Sequence, residues 1–338
     1  MHKILNMLCL ALVFSGCQSI SPERNSPQPQ EQPPTTEQLA LAQSLFFAGD
    51  YEEAYELFSA YASEANAEAT FMLGLMHDRG LGVEIDYSKA LDWYLKAAGL
   101  DHVKAYANIG LMYEEGMGVP VDLQEALQWY LLGAEAGNAA AQNNLGSMFD
   151  RGFGIDQDYE QAAYWYCKAA LQGAPEALKN CGGMYEAGKG VSQDYAKAAE
   201  YYAQGATLGH PGSMVNLGYL YDKGLGVTRN MSLAIEYYIG AAFGGNMTAA
   251  RNLAYLYSAG EGVEKNESIA IAWLAISRVI SGEPLDGPRV TQALQSISRT
   301  QDQVALDLFS LWIETSYGQS VEQAFETWPP TLREGPQD

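Results

Sequence analysis

Residues 105–134 read AYANIGLMYEEGMGVPVDLQEALQWYLLGA, and this stretch decides the fold because its pattern recurs every 36 residues on either side. Its loop, Gly116-Met117-Gly118-Val119, has five counterparts: Gly80-Gly82-Val83, Gly152-Gly154-Ile155, Gly188-Gly190-Val191, Gly224-Gly226-Val227 and Gly260-Gly262-Val263. Self-similarity at such a period marks a stacked array of small units. Six residues after the first loop glycine stand Asp86, Asp122, Asp158, Asp194, Asn230 and Asn266, the residue types that cap helix N-termini. Four positions on come Ala90, Ala126, Ala162, Ala198, Ala234 and Ala270. An aromatic pair follows each: Trp93-Tyr94, Trp129-Tyr130, Trp165-Tyr166, Tyr201-Tyr202, Tyr237-Tyr238 and, with one departure, Trp273-Leu274. This is the second helix of each unit. The first helix runs into the loop, with Ala105, Ile109, Met112 and Tyr113 on one face at helical spacing. Each loop glycine reads as a helix C-terminal cap with positive φ, a conformation costly for any residue with a side chain.

The motif A-x-x-N-L-G-x-M-Y-x-x-G-x-G-V-x-x-D-x-x-x-A-x-x-W-Y-x-x-A-A resembles the SEL-one-like repeat family, relatives of the tetratricopeptide repeats. The resemblance covers residues 37–318 and implies an all-α, right-handed α-solenoid of stacked antiparallel helix pairs. Residues 37–63 resemble a tetratricopeptide-type start, since Gly49-Asp50-Tyr51-Glu52-Glu53-Ala54 keeps the cap and alanine register without the double-glycine loop. Past Trp273 the register fades, and helices are expected near 288–298 and 301–317, with capping-box spacing at Thr300/Gln303 and Ser320/Gln323. The expected organisation is a leader at 1–16, a tether at 17–36, a solenoid at 37–284, capping helices at 285–328 and a tail at 329–338.

At the N-terminus Lys3 precedes an apolar run from Ile4 to Phe14 and then Ser15-Gly16-Cys17, too short to span a bilayer as a mature helix. The pattern resembles a bacterial lipoprotein signal and implies an acylated Cys17, although Phe14 stands where the pattern usually has Leu. An ordinary cleaved secretory signal with an incidental cysteine is the alternative. Gln18 in place of Asp implies, on the same resemblance, an outer-membrane protein facing the periplasm. Residues 18–36 hold five prolines among Gln, Ser and Glu and form no core. As a semi-extended tether they reach up to about 60 Å at roughly 3.1 Å per residue.

With 19 Lys plus Arg against 41 Asp plus Glu, the formal net charge is −22, a field that repels phosphate backbones and anionic lipid surfaces. Nucleic acid is therefore not an expected partner, and membrane contact is expected only through the N-terminal lipid. Cys167 and Cys181 take normally apolar repeat positions on either side of the Gly173-Ala174 turn. They can form a disulfide or stand as two core thiols. His77 falls where other units have Tyr or Phe and reads as a core substitution, while His102 and His210 share a turn position with Asn138 and Asn246. No H-E-x-x-H, G-x-S-x-G, S-x-x-K or paired C-x-x-C occurs, so no catalytic role, metal or cofactor is expected.

What remains is a surface. Around Ile109, positions 107, 108, 111, 114 and 115 turn away from the core or lie at its edge. Two ladders run there: Asn108, Asn144, Asn180, Asn216 and Asn252, and Asp78, Glu114, Asp150, Glu186 and Asp222. The amides can either bond an extended peptide or tie neighbouring turns of the solenoid together. The carboxylates oppose the dipole at a helix C-terminus, which makes them either an attraction for a basic partner or a solvated face paired with Arg79, Arg151 or Lys223. The expected function is an envelope-anchored adaptor or scaffold that grips protein partners, basic or extended peptide segments among them, in a concave groove. The alternatives are a structural part of an envelope machine, such as polysaccharide secretion or a flagellar motor, and a hydrolase acting on peptidoglycan or an antibiotic.

Overall fold

The computed structural model describes residues 36–62, 66–300 and 302–317. The leader, Cys17, the tether up to residue 35, the Ser320/Gln323 spacing and the tail lie outside the described residues. Within them α1 (Thr36–Ala48) and α2 (Tyr51–Ala62) form the opening pair. Six repeat pairs follow: α3 (Ala67–Arg79) with α4 (Tyr87–Gly99), α5 (Val103–Glu115) with α6 (Leu123–Glu135), and α7 (Ala139–Arg151) with α8 (Tyr159–Ala170). Then come α9 (Pro175–Ala187) with α10 (Tyr195–Thr207), α11 (Pro211–Lys223) with α12 (Met231–Phe243), and α13 (Met247–Ala259) with α14 (Glu267–Ile280). The array closes with α15 (Pro288–Thr300) and α16 (Gln303–Tyr317). All the described secondary structure is helical, an α-solenoid in which each helix packs on its chain neighbours.

The loop between the helices of a pair is fixed by few bonds. Gly116 ends α5 in the left-handed conformation, φ 72°, and its N–H donates to the Met112 carbonyl. Asp122 then donates its N–H to the Tyr113 carbonyl at 2.9 Å, while its side chain accepts from the N–H groups of Gln124 and Glu125. The second loop glycine has a different duty. A Cβ on Gly118 would lie 2.5 Å from the Tyr87 carbonyl carbon and 2.7 Å from the Ser88 nitrogen, so its missing side chain lets each loop rest on the preceding repeat.

At the C-terminal end Trp312 and Phe309 are buried, and the Trp312 indole N–H donates to the Ala242 carbonyl at 3.0 Å, tying α16 to α12. The expected capping box at Thr300/Gln303 is corrected here. Thr300 is the last residue of α15 and donates back to the Ile297 carbonyl, and Asp302 accepts from the Ala305 N–H at the start of α16. A hydroxyl that can reach its own helix has no need to cap the next one.

Candidate partner-binding groove

Successive first helices of the repeats (α5, α7, α9, α11) approach one another more closely than successive second helices do. They therefore form the inner, concave layer. Their outward stripe, continued by α13, the first helix of the last repeat, carries Leu111, Tyr219 and Tyr255, exposed at 39%, 40% and 58%. Ala107, expected near this face, is instead buried with Ala134 and Ala141, because small residues there let α5, α6 and α7 approach closely.

Both ladders converge on the second aromatic of the pair, except that Asn180 donates instead to Asn143 and Asp150 accepts no tyrosine hydroxyl. In α6 the Tyr130 ring is fully buried, and its hydroxyl donates to Glu114 at 2.7 Å. Tyr94 donates to Asp78 at 3.2 Å and Tyr202 to Glu186 at 2.6 Å. From the following repeat the amides of Asn108, Asn144, Asn216 and Asn252 act on the hydroxyls of Tyr94, Tyr130, Tyr202 and Tyr238 in the opposite sense to these acids, favouring the ionised form. Burial, reinforced by these carboxylates, pushes the hydroxyls of Tyr94, Tyr130 and Tyr202 far above the usual phenol range. They stay protonated donors at any physiological pH. A charge-assisted hydrogen bond, worth roughly 1.5–3 kcal/mol, outweighs the few tenths lost to the helix dipole, which accounts for acids at an unfavourable helix end. Asp222 departs from the pattern: it is buried, pairs with Lys223 at 2.8 Å and leaves its Oδ1 without a partner.

A third ladder, which sequence reasoning missed, makes room for these rings. A Cβ on Gly74, Gly110, Gly146, Gly182 or Gly218 would lie 2.5–2.9 Å from the ring of Tyr94, Tyr130, Tyr166, Tyr202 or Tyr238. The signal was in the sequence. Where the tyrosine gives way to Leu274, the glycine becomes Ala254 and the acid becomes Ser258; where Phe58 stands in its place, the following amide becomes Met72.

His77 is buried beside Tyr55, whose hydroxyl lies 3.3 Å from its Nε2, and burial lowers its pKa. His102 and His210 stand at the N-caps of α5 and α11 and reach back to Glu68 at 2.9 Å and Glu176 at 3.0 Å. Where that acid is absent the cap is Asn138, Ala174 or Asn246. Cys167 of α8 and Cys181 of α9 are joined in a disulfide, with their Cα atoms 4.9 Å apart. Among the described residues no group of three or more His, Cys, Asp or Glu is placed to hold a metal, and no helix is long and apolar enough to cross a membrane.

Six segments, 67–102, 103–138, 139–173, 175–210, 211–244 and 248–277, match the Sel1 repeat. The chain is similar to a Sel1 repeat protein from Oxalobacter formigenes of known crystal structure: 33% identity, 72% of this chain and 97% of that one, TM-score 0.66. It is also similar to c5321, a protective antigen of uropathogenic Escherichia coli strains with an SLR fold, at 29% identity and TM-score 0.61. That match covers 80% of this chain and 56% of the other. Among curated proteins none matches. Loops, caps, aromatic pairs and these matches agree: the chain belongs to the Sel1 repeat family.

Proposed function

We propose that this protein is an envelope-anchored adaptor that holds protein partners in the concave groove of its solenoid. Sel1 repeat proteins generally mediate protein–protein interaction, and their scaffold is generally non-enzymatic. The observation that carries the reading is the stripe of exposed Leu111, Tyr219 and Tyr255 on the inner layer. Tyrosines half open to solvent offer large contact area at little conformational cost. The two ladders lie beneath the groove around the buried tyrosines, and, Asp222 apart, their side chains remain half-buried.

The anchor in this proposal is an acylated Cys17, with the tether carrying the solenoid away from an outer membrane into the periplasm. Stable anchoring needs more than one acyl chain. Cys17→Ala should then release the protein from the membrane fraction or leave it unprocessed, and unchanged membrane association would rule lipid out. For the groove, replacing Leu111, Tyr219 and Tyr255 together with Ala should cut partner recovery and leave the thermal midpoint nearly unchanged. Undiminished recovery would place the interaction elsewhere.

A further inference from the structure

The fourth repeat departs from the others at several positions, and the departures meet at one place. On the groove stripe Leu75, Leu111, Ser147, Tyr219 and Tyr255 are matched by Gly183, and one turn later α9 has Ala187, a small residue shared only with Ala259 among the six repeats. A cavity of about 250 Å³ opens there, bordered by Asp150, Tyr166, Lys179, Asn180, Lys189 and Asn216. Gly183 has no packing reason to be glycine. A Cβ there would meet only the Tyr202 hydroxyl oxygen at 3.7 Å, whereas the neighbouring Gly182 must admit the Tyr202 ring. Glycine within a helix costs stability, and here the fold gains nothing in return.

The polar network is also opened at this point. Tyr166, Asp150 and Asn180 occupy the ladder positions, yet Asn180 donates to Asn143 at 2.9 Å rather than reaching Tyr166. Asp150 lacks the tyrosine hydroxyl that Asp78, Glu114 and Glu186 accept. Lys189 stands where the other units have Leu81, Met117, Phe153, Leu225 or Glu261. It rests over the Tyr159 ring at 4.7 Å, and Lys179 rests on the half-exposed Glu176. Both are cations on flexible stems within reach of the hollow.

We propose that this hollow is a carboxylate-binding subsite of the groove, in which Lys179 and Lys189 take an acidic side chain or a chain-terminal carboxylate of an extended partner. An adjoining N–H of that partner donates to Asp150. The proposal rests on the groove reading above and names the chemistry of one point along it. The cavity admits a single side chain or chain end, which suits an extended segment rather than a folded surface.

The test uses the isotope-labelled full chain and three short peptides: one fully blocked with a central glutamate, one fully blocked with glutamine there, and the glutamine peptide with a free C-terminal carboxylate. A carboxylate peptide should shift the amide resonances of Gly183, Ala187 and Lys189, and the blocked glutamine peptide should not. Binding of the glutamate peptide alone identifies a side chain as the ligand, and binding of the free-carboxylate peptide alone identifies a chain end. Gly183→Leu, or Lys179→Gln with Lys189→Gln, should weaken that binding about tenfold or more at a thermal midpoint that is not lowered. Equal shifts from all three peptides near Leu111 and Tyr219, with Gly183 unmoved, would overturn the subsite and leave the groove standing. No carboxylate-dependent shift anywhere would overturn the subsite as well, while the groove itself is tested separately by crosslinking.

Discussion

The Tyr130 hydroxyl donates to the Glu114 carboxylate at 2.7 Å across the space left by Gly110. A tyrosine in a buried helical layer needs a partner for its hydroxyl and a gap for its ring, and this repeat supplies both from the same inner helix. Tyr130→Phe should cost about 1–3 kcal/mol in chemical denaturation, and Glu114→Gln less, because an amide still accepts. The double variant should cost less than the sum of the two. Additive losses would mean that the two residues do not act as a pair.

The inner-layer glycines should separate into two kinds. Gly110→Ala drives a methyl to 2.5 Å from the Tyr130 ring and should destabilise by about 1–3 kcal/mol through overpacking. Gly183→Ala meets nothing closer than 3.7 Å and should be neutral or stabilise by up to about 1 kcal/mol. Thermal unfolding of the two variants checks this, and equal losses would contradict it.

Much of this was legible in the sequence, because loops, caps and aromatic pairs are local patterns at fixed spacing. Asp122 and Gly116 report their own backbone states. What was not legible is what meets across helices. Glu114 and Tyr130 lie 16 residues apart and Gly118 touches Tyr87 from the preceding repeat, so neither relation shows in a helical pattern. The coordinated change to Ala254, Ser258 and Leu274 was the available clue. Whether Cys167 and Cys181 pair depends on the side-by-side placement of α8 and α9, which spacing alone left open.

The hydrogen bond from His102, helped by its charge and that of Lys104, holds Glu68 below its ordinary value of 4.5 against the opposing effect of burial. For an acid with a depressed folded-state pKa, the stabilisation is present above the ordinary value and lost as pH falls through the lowered one. Wild-type protein should therefore melt above His102→Gln near neutral pH, and the gap should close in acid below the ordinary carboxylate range. A gap that widens in acid would reverse the sign and refute the assignment.

The Cys167–Cys181 bond closes a loop with a sequence separation of 14, which in the chain-entropy account contributes about 3 kcal/mol. Cys167→Ser with Cys181→Ser should lower stability by roughly that amount, and added reductant should bring wild type toward the double variant. The variant itself should be indifferent to reductant.

The central claim is that partners are held on the inner layer of helices, and site-specific photo-crosslinking in intact cells tests it most directly. A photoreactive residue at Leu111, Tyr219 or Tyr255 faces the groove, and one at Leu132 or Tyr164, exposed at 50% and 54%, sits on the outer layer. The account predicts discrete partner adducts from the three groove positions and none from the two outer ones. Adducts confined to Leu132 and Tyr164, or equal at all five positions, would contradict it.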